Sequence, residues 1–177
     1  MTRRLEPVRI LGIDPGSRVT GYGIIDFHRN GLRHVSSGCI HVGGDELSAR
    51  LMAIFEGIAA IVDGEGPTEL AVEQVFFHRN AASALKLGQA RGAALMAGVT
   101  RGLALYEYSP NQVKQAVTGR GHASKDQVQH MIKMLLGLRD VPASDAADAL
   151  AVAICHGHTR QTITRIERAS TRVVSSS

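Results

Sequence analysis

The chain contains no tryptophan, only two cysteines, five prolines, four phenylalanines and three tyrosines. With so few aromatic rings, its core has to be built from aliphatic side chains and alanine. Cys39 and Cys155 lie far apart, which excludes a disulfide framework and suits a reducing compartment. No apolar run approaches the ~18 residues that a membrane-spanning helix needs. The opening stretch MTRRLEPVRILGID starts with charge, but its apolar part is short, runs into Asp14 and offers no small-residue cleavage site. A signal peptide is therefore not expected, and the expected location is the cytoplasm.

What remains is an ordinary globular composition. The 177 residues fit one domain, with 44% hydrophobic and 20% charged residues and 19 glycines for turns and close backbone approach. The net charge is +4 and unevenly spread. Residues 79–139 carry nine Lys and Arg against Glu107 and Asp126, whereas residues 40–75 carry seven acids against Arg50. Such asymmetry suits a polyanionic partner for the basic half. Solvated helix faces produce the same pattern, so charge alone decides nothing.

Hydrophobic periodicity organises the chain. VRILGI at 8–13 is a short apolar run ending in Asp-Pro-Gly, a strand followed by a sharp turn. VTGYGIID at 19–26 is a second strand, closed by His28-Arg29-Asn30-Gly31 with its Asn-Gly hairpin signal, and a third covers Leu32 to His41. From Glu46 the period becomes helical, with Leu47, Leu51, Ile54, Ile58, Ile61 and Val62 on one face and Gly64, Gly66 and Pro67 as the stop. Leu70–Val75 reads as a strand, Asn80–Thr100 as a helix, Leu103–Tyr108 as a strand, and Pro110 opens a short helix. The glycine-bearing loop Thr118–Ala123 leads to Ser124, which with Gln127 forms a capping-box pattern ahead of a helix bearing Val128, Met131, Ile132 and Leu135. After Pro142, Ser144 is positioned to cap a last helix through ALAVAICHG.

Residues 1–158 thus form one domain. Residues 159–177 are polar, lack a helical apolar period and carry four Arg against one Glu, so a disordered basic tail is expected there. Three antiparallel strands followed by alternating helices and strands predict a mixed five-stranded α/β sheet with helices on its faces. A right-handed crossover places the fourth strand beside the first.

That layout brings together Asp14 and Glu73, each ending an apolar strand (ILGID and LAVE). Asp145 and Asp148 are three apart, on one face of the last helix near its start. Four converging carboxylates repel unless cations neutralise them, and Mg²⁺ prefers such hard oxygen ligands. Two ions about 4 Å apart suit in-line hydrolysis of a phosphodiester. Each acid also has a plainer reading. Asp14 before Pro-Gly can be a turn residue, Glu73 a chance exposure at a strand end, Asp145 a complement to the helix dipole, and Asp148 a solvent-facing residue.

The segments ILGIDPGSRVTGYGII, LAVEQVFFHRNAASALKLGQARGAAL, NQVKQAVTGRGHASKDQVQHMI and SDAADALAVAICH resemble the RuvC family of Holliday-junction resolvases in content, order and spacing. The resemblance spans roughly residues 8–158. It implies a ribonuclease-H-like fold, a homodimer, and a Mg²⁺-dependent endonuclease that nicks a four-way DNA junction symmetrically, with Mn²⁺ as a substitute metal. By matched position, Asp14, Glu73, Asp145 and Asp148 fall on the family's four catalytic, metal-binding acids. Lys114 and Lys125 match basic positions used near the scissile phosphate, and Phe76 matches an aromatic thought to act on bases at the crossover. The family's usual partners are RuvA, which binds the junction, and RuvB, which drives branch migration.

Arg79, Lys86, Arg91 and Arg120 are further candidates for phosphate contact, by their charge. Gly88, Gly92 and Ala93 permit close helix approach, in a dimer interface or in internal packing. Cys155-His156-Gly157-His158 offers too few soft ligands for a closed zinc site, and packing plus a histidine at a helix C-terminus accounts for it. Three competing readings exist: a YqgF-like nuclease of the same superfold, a non-catalytic junction-binding protein, and an actin-like or sugar-kinase ATPase, for which the chain is too short to supply two domains.

Overall fold

The computed structural model describes residues 7–28, 31–44, 46–74 and 80–174, with side chains described to residue 163 of the last helix. The strands are β1 (Val8–Asp14), β2 (Val19–His28), β3 (Gly31–His41), β4 (Glu69–Glu73) and β5 (Ala104–Tyr108). The helices are α1 (Leu47–Glu65), α2 (Ala81–Val99), α3 (Pro110–Thr118), α4 (Lys125–Leu136) and α5 (Ser144–Val174). One five-stranded sheet has the order β3-β2-β1-β4-β5. β1, β2 and β3 pair antiparallel, while β4 runs parallel to both β1 and β5. This is the mixed sheet expected from the sequence, with the fourth strand beside the first. Arg29 and Asn30 of the hairpin signal lie outside the described residues, but the flanking pair His28↔Gly31 closes the β2–β3 register.

Alternation along β1 explains its central place. Ile10 packs into a core with α3, α4 and α5, while Leu11 and Ile13 pack into a second core with α1 and α2. On β4, Ala71 joins the first core, and Leu70 and Val72 the second. Strands covered on both faces read as unbroken apolar runs, as ILGI and LAV do. Each aliphatic side chain buried in this way contributes roughly 1.5–3 kcal/mol.

The helix boundaries follow local chemistry. Asn80 caps α2 through Oδ1, which accepts from the Ala82 and Ser83 amides. Ser109 and Ser124 each form a reciprocal capping box, with Gln112 and Gln127. Gly66 ends α1 in the left-handed conformation, at φ 65°. Gly64 stays inside that helix. The apolar stripe of α1 is narrower than its periodicity suggests, because Leu47 is exposed and only Ile54, Ile58, Ala59 and Val62 are buried.

Two expectations about α5 need correction. The helix begins at Ser144 itself, and the Ala147 amide bonds to the Ala143 carbonyl, so Ala143 rather than Ser144 occupies the cap position. The helix also continues past His158 to Val174, where the sequence suggested a disordered tail. An apolar period reports only a helix with a core face, and the residues just past His158 are held by other means. The first turns of the extension are tied down by polar contacts. Thr159 and Thr162 donate to the Cys155 and His158 carbonyls, and Arg160 Nη1 lies 2.8 Å from Glu69 Oε1.

Candidate active site

Side-chain alternation aims two acids at one face. Asp14 shares strand parity with Ile10, and Glu73 with Ala71, and both of those residues face α5. The parallel register pairs Ile13 with Val72, so the next step along each strand sets Asp14 beside Glu73. α5 brings Asp145 and Asp148 over the same strand ends in its first two turns.

Glycine makes that approach possible. A Cβ at Gly12 would run into the Ala149 carbonyl, one at Gly21 into the Asp145 carbonyl, and one at Gly23 into the Leu150 side chain. The α5 backbone therefore lies directly on β1 and β2. A glycine inside a strand often marks such an approach, and Gly12, Gly21 and Gly23, facing the small-residue helix ADALAVA, carried that signal. The number of glycines is visible in the sequence, but which of them meet α5 depends on the tertiary fold.

Asp14 and Glu73 both respond to burial and to the acids near them. Burial pushes the Asp14 carboxyl up to about 7, and Asp148, Asp145 and Glu73 push in the same direction against Lys125. Burial and then Asp148 raise Glu73, with Lys114 opposing. Lys125, the first residue of α4, places Nζ 2.9 Å from Asp148 Oδ2. That bond raises the lysine's own pKa. Among the described residues no group of three or more His, Cys, Asp or Glu side chains is gathered so as to hold a metal ion as it stands. The four acids form an open set. Their donor chemistry fits a divalent cation: all are hard carboxylate oxygens, and a half-buried Asp14 with three acidic neighbours has more negative charge around it than Lys125 offsets.

The proposed DNA-contact residues divide. Lys114, Lys125 and Arg120 are exposed on α3, α4 and the intervening loop, on the α5 side of the sheet. Gly119 turns that loop at φ 72°, and the Thr118 hydroxyl oxygen lies 2.8 Å from both the Lys114 and the Arg120 carbonyl oxygens, either of which can accept its proton. Lys86 and Arg91 lie on α2, across the sheet. Lys86 is exposed, whereas Arg91 is ion-paired with Glu107 of β5. Phe76 and Arg79 lie outside the described residues. Gly88 and Gly92 face open space, so internal packing does not account for them.

The Cys155–His158 segment is also resolved into parts. Cys155 is in the core, its thiol pushed up to about 11 by burial. His158 meets the Phe27 ring edge-on, with centroids 6.3 Å apart. It is not at a helix C-terminus, since α5 runs on to Val174, so a helix dipole does not account for it. His156 is 2% exposed and bonded to Tyr108 and Glu69, a polar connection that the sequence analysis missed.

A mixed sheet with acid-tipped central strands, crossed by a helix bearing two more acids, defines a ribonuclease-H-like α/β protein. The chain matches the family described as "Crossover junction endodeoxyribonuclease RuvC" over residues 10–156. It is 58% identical over 160 residues to the protein of that name from Methylococcus capsulatus, covering 90% of this chain and 96% of the relative. It is 53% identical over 164 residues to the one from Marinobacter nauticus, covering 93% and 94%. The solved structure of T. thermophilus RuvC in complex with Holliday junction substrate superposes with a TM-score of 0.83 at 34% identity, covering 89% of this chain and 97% of that one. The chain belongs to the RuvC family.

Proposed function

We propose that this protein resolves Holliday junctions, as a structure-selective endonuclease of recombination and repair that makes paired symmetric nicks by metal-assisted phosphodiester hydrolysis. Support for the substrate comes from relatives named crossover junction endodeoxyribonucleases at 53–58% identity. The observation that carries the chemistry is the electrostatic convergence of Asp14 with Glu73, Asp145 and Asp148 on one face of the sheet.

Asp14, at the tip of the central strand, and the other three acids are the proposed ligands for two Mg²⁺ ions, with Mn²⁺ as a substitute. When bound, the ions would neutralise phosphate charge and lower the pKa of water. The chain's own groups then have distinct tasks. Glu73, held above the usual carboxylate range by burial and Asp148, is suited to orient the attacking water and accept its proton. One P–O bond forms to that water oxygen as the bond to the leaving sugar oxygen breaks. Lys114 and Lys125 face the charge that builds on the phosphoryl oxygens. Phe76 is proposed to act on bases at the crossover, and Arg79, Lys86 and Arg120 to contact phosphates. Arg91 is the weakest member of that group because Glu107 already engages it.

An isologous homodimer supplies two identical sites, matching the approximate two-fold symmetry of a four-way junction. RuvA and RuvB are the proposed partners, and the cytoplasm the proposed location. No helix among the described residues is long and apolar enough to cross a membrane.

The test is incubation with a synthetic four-way junction, a fork and a linear duplex, with Mg²⁺ or with chelator. Paired nicks on the junction alone, lost with chelator and in Asp14→Asn, are expected. Junction binding without any cleavage would replace the enzyme with a binding protein, and equal cutting of linear duplex would mean a general nuclease.

A further inference from the structure

A buried polar chain crosses the α5 face of the sheet without any part in the chemistry assigned above. The Tyr108 hydroxyl lies 2.6 Å from His156 Nδ1, His156 Nε2 lies 2.6 Å from Glu69 Oε2, and Arg160 Nη1 lies 2.8 Å from Glu69 Oε1. The direction of the bonds follows from the end groups. A carboxylate only accepts, so Nε2 carries the imidazole proton. Burial lowers the His156 pKa and favours the neutral ring, whose Nδ1 then accepts from Tyr108. Burial holds that phenol protonated, pushing it up to about 12. The Tyr106 ring stacks on His156 with centroids 4.2 Å apart, closing the chain from the other side.

The chain joins the three elements that frame one edge of the acidic site. Tyr108 is the register partner of Glu73, and its carbonyl accepts from the Gln74 amide at 2.8 Å. Tyr108 is thus held by its side chain to α5 and by its backbone to the residue after Glu73. Glu69 and Glu73 are four residues apart on one strand, a span of about 13 Å. His156 and Asp148 are eight residues apart on one helix, a span of about 12 Å. Strand and helix are therefore fastened at one end, and similar lengths of each run from that fastening to Glu73 and to Asp148. Apolar surfaces can slide past one another, but directional hydrogen bonds fix a single register.

We infer that Tyr108, His156 and Glu69 are positioning residues for the nuclease site, setting the spacing between Glu73 on β4 and Asp148 on α5. The inference rests on the reading of the four acids as that site. Each is argued to act through the acids and not on the substrate itself.

The experiment compares Tyr108→Phe, Glu69→Leu and Glu69→Gln with the native protein and with Asp14→Asn. Three quantities are measured: single-turnover nicking of saturating junction, junction affinity in chelator, and Mn²⁺ affinity of the DNA-free protein by electron paramagnetic resonance. Tyr108→Phe and Glu69→Leu are expected to slow nicking by about tenfold to a hundredfold, the scale of a small misplacement at a reacting centre. Mn²⁺ affinity falls with them and junction affinity stays native. Glu69→Gln, whose amide oxygen still accepts from His156, keeps most of the native rate. Tyr108→Phe removes one oxygen and leaves the ring in the core, so its fold is the safeguard. Native nicking and Mn²⁺ affinity in Tyr108→Phe overturn the inference, as does a loss of nicking matched by an equal loss of junction affinity. Native nicking by Asp14→Asn would instead overturn the acid-site reading, whatever the other variants do.

Discussion

Lys125 Nζ sits 2.9 Å from Asp148 Oδ2, so the first residue of α4 is joined to the acidic end of α5 by an ion pair. The pair is open to solvent, with side-chain exposures of 58% and 35%. In that setting an ion pair contributes at most about 1 kcal/mol to stability. Its value lies in holding a cation against the acids and within reach of a phosphate. Lys125→Ala is expected to leave the melting temperature nearly unchanged and to slow junction nicking on the order of a hundredfold, the scale seen when a transition-state charge loses one donor. Loss of one phosphate contact also flattens the log–log salt slope of junction binding by about 0.9. A native nicking rate in this variant would remove Lys125 from the proposed machinery.

The raised Asp14 pKa has a thermodynamic consequence in the metal-free protein. Its folded value of about 7 lies above the ordinary 3.8, so between these limits the folded state binds more protons than the unfolded. Stability is therefore greatest near the lower limit, declines as pH rises through the window, and levels off above it. Glu73, also raised, adds in the same direction. Denaturant melts in chelator should show this decline, and Asp14→Asn should flatten it. Magnesium should restore stability at the alkaline end for the native protein and much less for Asp14→Asn.

Asp26 acts oppositely. The hydrogen bond from Arg9, reinforced by Arg33, holds its carboxyl below the usual range despite burial. Its contribution is present above the ordinary aspartate pKa and is lost as pH falls through the lowered value. Asp26→Asn should reduce the acid-induced loss of stability while leaving the Asp14 window intact. Melts of the two single variants across the pH range separate the contributions.

Gly21→Ala tests the seating of α5. The added methyl group meets the Asp145 carbonyl, and backbone cannot swing aside as a flexible side chain can. Overpacking of this kind costs typically 1–3 kcal/mol. Because the displaced residue bears a site acid, nicking should fall further than the stability loss accounts for at a temperature where the variant is fully folded. Gly64→Ala, in open space near the end of α1, serves as a control with no clash.

Ser124→Ala removes the side chain that accepts from the Gln127 amide at the start of α4. A lost N-cap costs about 1 kcal/mol. Since Lys125 is the next residue, fraying there should flatten the salt slope of junction binding, in the same direction as Lys125→Ala, along with lowering the melting temperature.

Much of this was legible along the chain. The five strands, the five helices and the position of β4 beside β1 follow from periods of two and 3.6, from Asn-Gly, Gly-Pro and Ser-x-x-Gln signals, and from the handedness of crossovers. Asp14 and Glu73 were visible because an acid closing an apolar strand stands out. The extension of α5 beyond His158 was not, because hydroxyl-to-carbonyl bonds and the Arg160–Glu69 pair leave no apolar period. The Tyr108–His156–Glu69 chain was equally hidden. Its members come from three elements, and nothing in ALYEY or AICHGH announces which hydroxyl, imidazole and carboxylate will meet.

The order of elements and the two-sided burial of the central strands were determined by the amino-acid sequence alone, and the four acids could be proposed from it, because each depends on near-neighbour pattern or on residue type. Tertiary structure decided how close α5 comes to β1 and β2, where β4 is fastened to that helix, and how strongly Asp14 resists ionisation. Those quantities depend on distances between residues far apart in the chain, and on the exclusion of water once they have packed.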